Sequence, residues 1–132
     1  MTTLLIDTNV ASFLFKGSSY AKPYEVIIAE HELALSFMTV AELYQWSIVR
    51  QWGDRRRQQL EQYISGYLLI PSDQRLCREW AQVRANADQV GRPISAQDAW
   101  IAATALRHDL SLVTHNIKDF QFVPNLKLIT PK

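Results

Sequence analysis

Short apolar runs recur along this chain at residues 4–6, 33–37, 68–70, 110–114 and 126–129, and most of the sequence between them has helix-like periodicity. Runs of three to five residues are too short for helices but suit buried strands. Strands that alternate with helices are most simply arranged side by side in one direction, with the helices crossing over the sheet faces. The expected architecture is therefore α/β with a mainly parallel central sheet. The intervening segments give helices over residues 9–15, 20–32, 39–52, 54–66, 72–90 and 95–108, and about one helical turn over 116–120. Gly17, Gly53 and the Gly91-Arg92-Pro93 step punctuate them, and Pro23 fits a first helical turn. In such sheets ligands bind beyond the carboxyl ends of the strands. That edge is where functional residues are sought.

The chain has 132 residues, 48% of them hydrophobic, which suits one domain spanning 1–132 with its own core. A single cysteine, Cys77, rules out an internal disulfide and is expected to be structural. The first apolar run breaks at Asp7, so no signal-like segment begins the chain, and no run is long enough to cross a bilayer. A soluble cytoplasmic protein with no membrane partner is expected. The net charge of +1 neither argues for nucleic acid nor excludes it.

Four acids stand out by position. Asp7, Glu42, Asp98 and Asp119 each lie just past a strand or near the start of a following helix. Taken singly, each has a plain explanation as a helix cap or capping-box member: Thr39-Val-Ala-Glu42 and Ser95-Ala-Gln-Asp98 both have that pattern. Helical periodicity weakens this explanation for two of them. Asp98 shares a face with Ile101, Ala102 and Ala105, and Glu42 with Met38, Trp46 and Val49. A carboxylate on a buried face is costly unless paired or bound to a cation, and residues 36–49 and 94–106 contain no Lys or Arg. Hard oxygen donors without a His or Cys cluster suit Mg2+ or Mn2+. An ion so held, with positions left for water and phosphate, points to phosphodiester hydrolysis.

The segments LLIDTNV, MTVAELYQW, GRPISAQDAWIAATAL and LVTHNIKDF carry a resemblance to PIN-domain proteins, and within them to VapC-type toxins of toxin–antitoxin modules. It covers nearly the whole chain and is most specific around Asp98. The resemblance implies a PIN-like α/β/α sandwich and a Mg2+- or Mn2+-dependent endoribonuclease. It also implies a homodimer, restrained by a cognate antitoxin protein. Asp7 and Asp98 would be the principal metal ligands, and Glu42 the second acid of the family. Thr8, Asn9 and Thr114 would give polar support. Where many relatives place an acid this chain has Asn116, so the fourth role falls to Asp119 with Asn116 assisting.

Alternatives divide on particular residues. A signalling receiver domain would need two adjacent acids after the first strand and a late lysine, where this chain has Asp7-Thr8-Asn9 and no matching lysine. A haloacid-dehalogenase-type phosphatase would need an acid where Asn9 stands. The remaining rival is a non-catalytic PIN-like scaffold that binds an antitoxin and contributes to repression of its own operon. Arg55, Arg56 and Arg57 form either a solvated helix face or a surface for phosphates or an acidic antitoxin segment. Arg84 and Arg92 are candidates for reaching substrate phosphates, and His115 is expected in a surface turn.

Overall fold

The computed structural model describes residues 2–131. Its five strands are β1 (Thr3–Ile6), β2 (Glu32–Ser36), β3 (Leu68–Ile70), β4 (Ser111–Val113) and β5 (Leu128–Ile129). They form one sheet in the order β3-β2-β1-β4-β5, and every neighbouring pair is parallel. The helices are α1 (Thr8–Lys16), α2 (Ala21–Ile28), α3 (Phe37–Val49), α4 (Asp54–Ser65), α5 (Gln74–Gln89) and α6 (Ala96–Arg107). A 3-10 turn at Ile117–Asp119 follows β4.

Side-chain alternation along the strands divides the core into two layers. Leu5, Ala34 and Leu112 face α5 and α6, whereas Leu4, Ile6, Leu35 and Val113 face α1, α3 and α4. The expected sandwich is therefore observed. The central strand β1 pairs with β2 on one side and β4 on the other, with Leu5 opposite both Ala34 and Leu112. The connections out of β1 and β4 consequently diverge at the carboxyl edge, creating the switch point at which open α/β sheets hold ligands.

Helix α6 sits close to the sheet because its inward face is small. Ala99, Ala102, Ala103 and Ala105 are all essentially inaccessible, as is Ile101. Ser95 caps this helix by accepting a hydrogen bond from the Asp98 amide at 3.1 Å, so Asp98 occupies the first turn. At the end of α1, Gly17 adopts φ 63°, a left-handed conformation that glycine enters without a Cβ penalty.

Several boundaries and faces differ from the sequence expectation. Phe37 begins α3 instead of ending β2, because Ser36 is in extended conformation and its Oγ accepts from the Thr39 amide. The cap is thus Ser36, and Thr39 lies inside the helix. The inward residues of α3 are Thr39, Leu43 and Ser47, while Val49 is 70% exposed. Glu42 sits at the border of that face and not in line with a buried stripe. Helix α2 stops at Ile28, and the chain reverses through Glu30 at φ 66° before entering β2. In β3 only Ile70 is buried, since the strand lies at the sheet edge. Cys77 is exposed, because Leu76, Val83 and Ala87 fill the inward stripe of α5.

The close seating of α6 predicts a low tolerance for bulk. Ala102→Leu should destabilise the protein by about 1–3 kcal/mol through overpacking, measured by urea unfolding. Unchanged stability would show that α6 has room above the sheet.

Candidate active site at the carboxyl edge of the sheet

Asp7 directly follows β1, and its backbone amide donates to the Val113 carbonyl at 3.0 Å, which locks its position to the end of β4. The residue is only 5% exposed. The Thr8 amide donates to Asp7 Oδ1 and the Thr114 hydroxyl donates to Oδ2, each at 2.8 Å. Asp7 is therefore a helix cap and also a carboxylate held from both sides. Fully buried Thr114 is itself oriented, since its Oγ1 accepts from the Asn116 amide at 3.1 Å.

A second chain of hydroxyls fixes Glu42. Thr8 Oγ1 donates to Glu42 Oε1 at 2.8 Å and lies 2.9 Å from Thr39 Oγ1. With its one proton directed at the carboxylate, Thr8 must accept from Thr39. Ser36 Oγ in turn donates to Thr39 Oγ1 at 3.4 Å. The relay Ser36–Thr39–Thr8–Glu42 thus links β2, α3 and α1 and ends on an acid. Ser36 and Thr39 were missed by sequence reasoning. A small hydroxyl residue ending β2 was the available signal, hidden because Thr39 resembled the cap.

Burial pushes the Asp7 carboxyl up to about 6, against the opposing hydrogen bonds from Thr114 and Thr8, with the charges of Glu42 and Asp119 adding to the rise. Burial also raises Asp98 to about 6, reinforced by the charges of Asp7 and Asp119 and opposed by the Ser95 hydroxyl. Glu42 is raised by burial and by Asp98, while the Thr8 hydrogen bond draws it down. Each of these three carboxyls thus feels another acid: Asp7 feels Glu42 and Asp119, Glu42 feels Asp98, and Asp98 feels Asp7 and Asp119. Among the described residues, no salt bridge reaches any of the four; the ion pairs are Arg107–Asp73 and Lys127–Asp109.

The acids do not make a closed cage. Among the described residues, no three His, Cys, Asp or Glu side chains form a ready-made metal-holding group. A Mg2+ ion nevertheless fits the donor chemistry, because it commonly takes one or two carboxylates and retains several waters. Asp7 and Asp98, both raised mainly by burial and further by neighbouring carboxylates, are the two that such an ion would relieve most directly.

The remaining candidate residues contribute unequally. Asp119 is exposed in the 3-10 turn, and Asn116 offers its backbone amide to Thr114. Half-buried Asn9 makes no side-chain hydrogen bond among the described residues. His115 is exposed, yet it is held at 2.7 Å by the Tyr24 hydroxyl and edge-on to Phe13. Arg56 stacks over Trp52 at 4.4 Å, whereas Arg55 and Arg57 lie on the solvated face of α4.

The family model for the PIN domain matches residues 4–125. Ribonuclease VapC1 of Haemophilus influenzae strain R2866 is 27% identical over 125 residues, covering 93% of each chain. The structure of VapBC-1 from nontypeable Haemophilus influenzae matches with a TM-score of 0.87 and 26% identity, covering 98% of each chain. A toxin-antitoxin complex from Klebsiella pneumoniae matches at 0.78 and 27% identity, also over 98% of each chain.

Asp7 gives the site a stability signature. Its carboxyl has a folded value near 6 against an ordinary 3.8, so the stabilising contribution is full below 3.8 and is lost as pH rises through 6. Asp7→Asn should therefore stabilise the metal-free protein at neutral pH by about 1–3 kcal/mol and flatten its stability profile across that window. Urea unfolding in chelator at several pH values measures this. Lower stability of the variant at neutral pH would contradict the burial account.

Proposed function

The chain belongs to the PIN-domain family, in its VapC-type group, and from that membership we propose that it is a ribonuclease toxin. It hydrolyses RNA phosphodiester bonds at the acidic edge and is restrained by an antitoxin protein. The observation that carries this reading is the pair Asp7 and Asp98, both raised to about 6, with no salt bridge to either among the described residues. A fold maintained only to bind a partner gains nothing from one buried and one half-buried carboxylate without a cationic partner, which cost stability at neutral pH.

In this reading Asp7 and Asp98 hold a Mg2+ or Mn2+ ion, with Glu42 and Asp119 completing the acidic set. When bound, such an ion supplies Lewis-acid stabilisation of the reacting phosphodiester and makes water more acidic at neutral pH. The chain's own residues supply the positioning. Thr114 and the Thr8 amide fix both oxygens of Asp7, so that carboxylate does not have to reorganise when it binds. The hydroxyl relay through Thr39 and Thr8 orients Glu42 in the same way. The amino-terminal turns of α1 and α6 favour negative charge on Asp7 and Asp98. Asn9 and Asn116 are the remaining polar supports in this assignment.

The similarity to VapBC-1 and to a toxin-antitoxin complex supports the antitoxin partner. Among the described residues no helix is long and apolar enough to cross a membrane. The proposal includes a single PIN-like domain over 1–132, a homodimer and a cytoplasmic site of action.

Asp98→Asn tests the catalytic reading, because it removes a charge and keeps the shape. RNA cleavage should fall about 100-fold or more, and growth arrest on expression should be lost, while a co-expressed antitoxin still co-purifies. Growth arrest as strong as wild type would overturn the enzyme reading and leave the scaffold. Sedimentation of the antitoxin-free protein should give twice the monomer mass, and monomer mass would remove the dimer.

A further inference from the structure

Beside the acids, on the α5–α6 side of the sheet, the structure contains a cavity of about 370 Å³. Asp98 and Asp119 form part of its wall, so it opens directly onto the candidate active site. Val83 and Ile94, both almost fully buried, give it an apolar lining. Two cations border it: Arg92, from the Gly91-Arg92-Pro93 break, and Lys118, from the 3-10 turn. The Arg92 guanidinium lies 4.1 Å from the ring centroid of Phe122, which is 40% exposed. Among the described residues neither Arg92 nor Lys118 forms a salt bridge, despite the nearby acids.

This combination is specific in what it can receive. An apolar recess with an aromatic and guanidinium wall suits a flat heterocycle, because every base presents a face for stacking. Cations at the mouth suit the phosphates that flank such a base, and carboxylates further along discourage an anion there unless a metal ion is present. A duplex keeps its bases stacked inside, so only a single strand can insert one. We propose that this cavity is a nucleotide subsite that takes a base of single-stranded RNA beside the reacting phosphodiester, stacked against the Arg92–Phe122 pair, with Arg92 and Lys118 contacting its phosphates. The proposal rests on the ribonuclease reading and adds the residues that place the strand. Lys118 and Asp119 are adjacent, so the same turn brings a phosphate contact and an acid to the site.

The probe is a fluorescein-labelled RNA of randomised sequence, about 12 nucleotides long and fully 2′-O-methylated to resist cleavage. Its binding to the antitoxin-free protein in Mg2+ buffer is followed by anisotropy over a range of salt. Phe122→Ala and Arg92→Ala should each weaken binding about tenfold. The slope of log affinity against log salt should drop by about 0.7 for Arg92→Ala and stay unchanged for Phe122→Ala. Arg92→Lys should restore the slope but not the full affinity, since an ammonium keeps the charge and loses the planar stack. Lys127→Ala, at the opposite end of β5, is the control and should bind as wild type. Circular dichroism establishes that each variant is folded, and exposed Arg92 allows Arg92→Lys to stand in if Phe122→Ala is not. Wild-type affinity and salt slope in the Arg92 and Phe122 variants would overturn the subsite and leave the ribonuclease reading intact. Absence of binding by wild type would overturn both.

Discussion

Burial of the Asp7 carboxylate at the end of the central strand is the constraint on which the rest of the structure depends. A charge in that position is tolerated because two donors, the Thr8 amide and the Thr114 hydroxyl, are built around it at the positive end of α1. Each requires a specific element. Thr114 arrives only if β4 pairs beside β1 in the observed register, with Ile6 opposite Val113. The Thr8 hydroxyl is occupied by Glu42 and Thr39, which ties α3 to α1. The site is therefore the place where four separately coded segments meet, and the parallel topology is what makes them meet there.

The same arrangement opposes stability. Asp7 and Asp98 have carboxyls raised to about 6, so at neutral pH the folded chain holds charges that it would hold more easily unfolded. The alanine face of α6 shows the compensating side. By seating the helix close to β2 and β4, it buries apolar surface and holds Asp98, in the first turn, within reach of the Asp7 charge. One helix thus supplies part of the core through Ala99, Ile101 and Ala102 and carries Asp98 in its first turn. The cavity beside it extends the same logic, because the loop that ends α5 and leads to Ser95 also carries Arg92.

Much of this was legible in the sequence because it has a local physical signature. The strand–helix alternation specified the parallel sheet, Gly17 the end of α1, and the lack of Lys or Arg near Asp98 the unpaired acid. What failed was information that depends on distant partners. Thr39 has the local pattern of a cap, but Ser36 takes that role because extended backbone at the end of β2 puts its hydroxyl under the first turn. The Thr8–Thr39 contact joins residues 31 positions apart and leaves no periodic trace. Leu68 and Leu69 are apolar like the other strand residues, and only the strand order reveals that they lie at an edge. For the acids, sequence position pointed to strand ends and first helical turns, where Asp7 and Asp98 lie, but it carried no measure of how far apart the side chains sit.

In the ribonuclease reading buried Asp7 and half-buried Asp98 hold one metal ion between them. Calorimetric titration of the antitoxin-free protein with Mn2+ at pH 6, in two buffers of different ionisation enthalpy, tests it most directly. Carboxyls near 6 are about half protonated there, so an ion that binds Asp7 and Asp98 must displace about one proton in total. The account predicts saturable binding with a buffer-dependent heat reporting that release. Absence of binding, or binding with the same heat in both buffers, would contradict it.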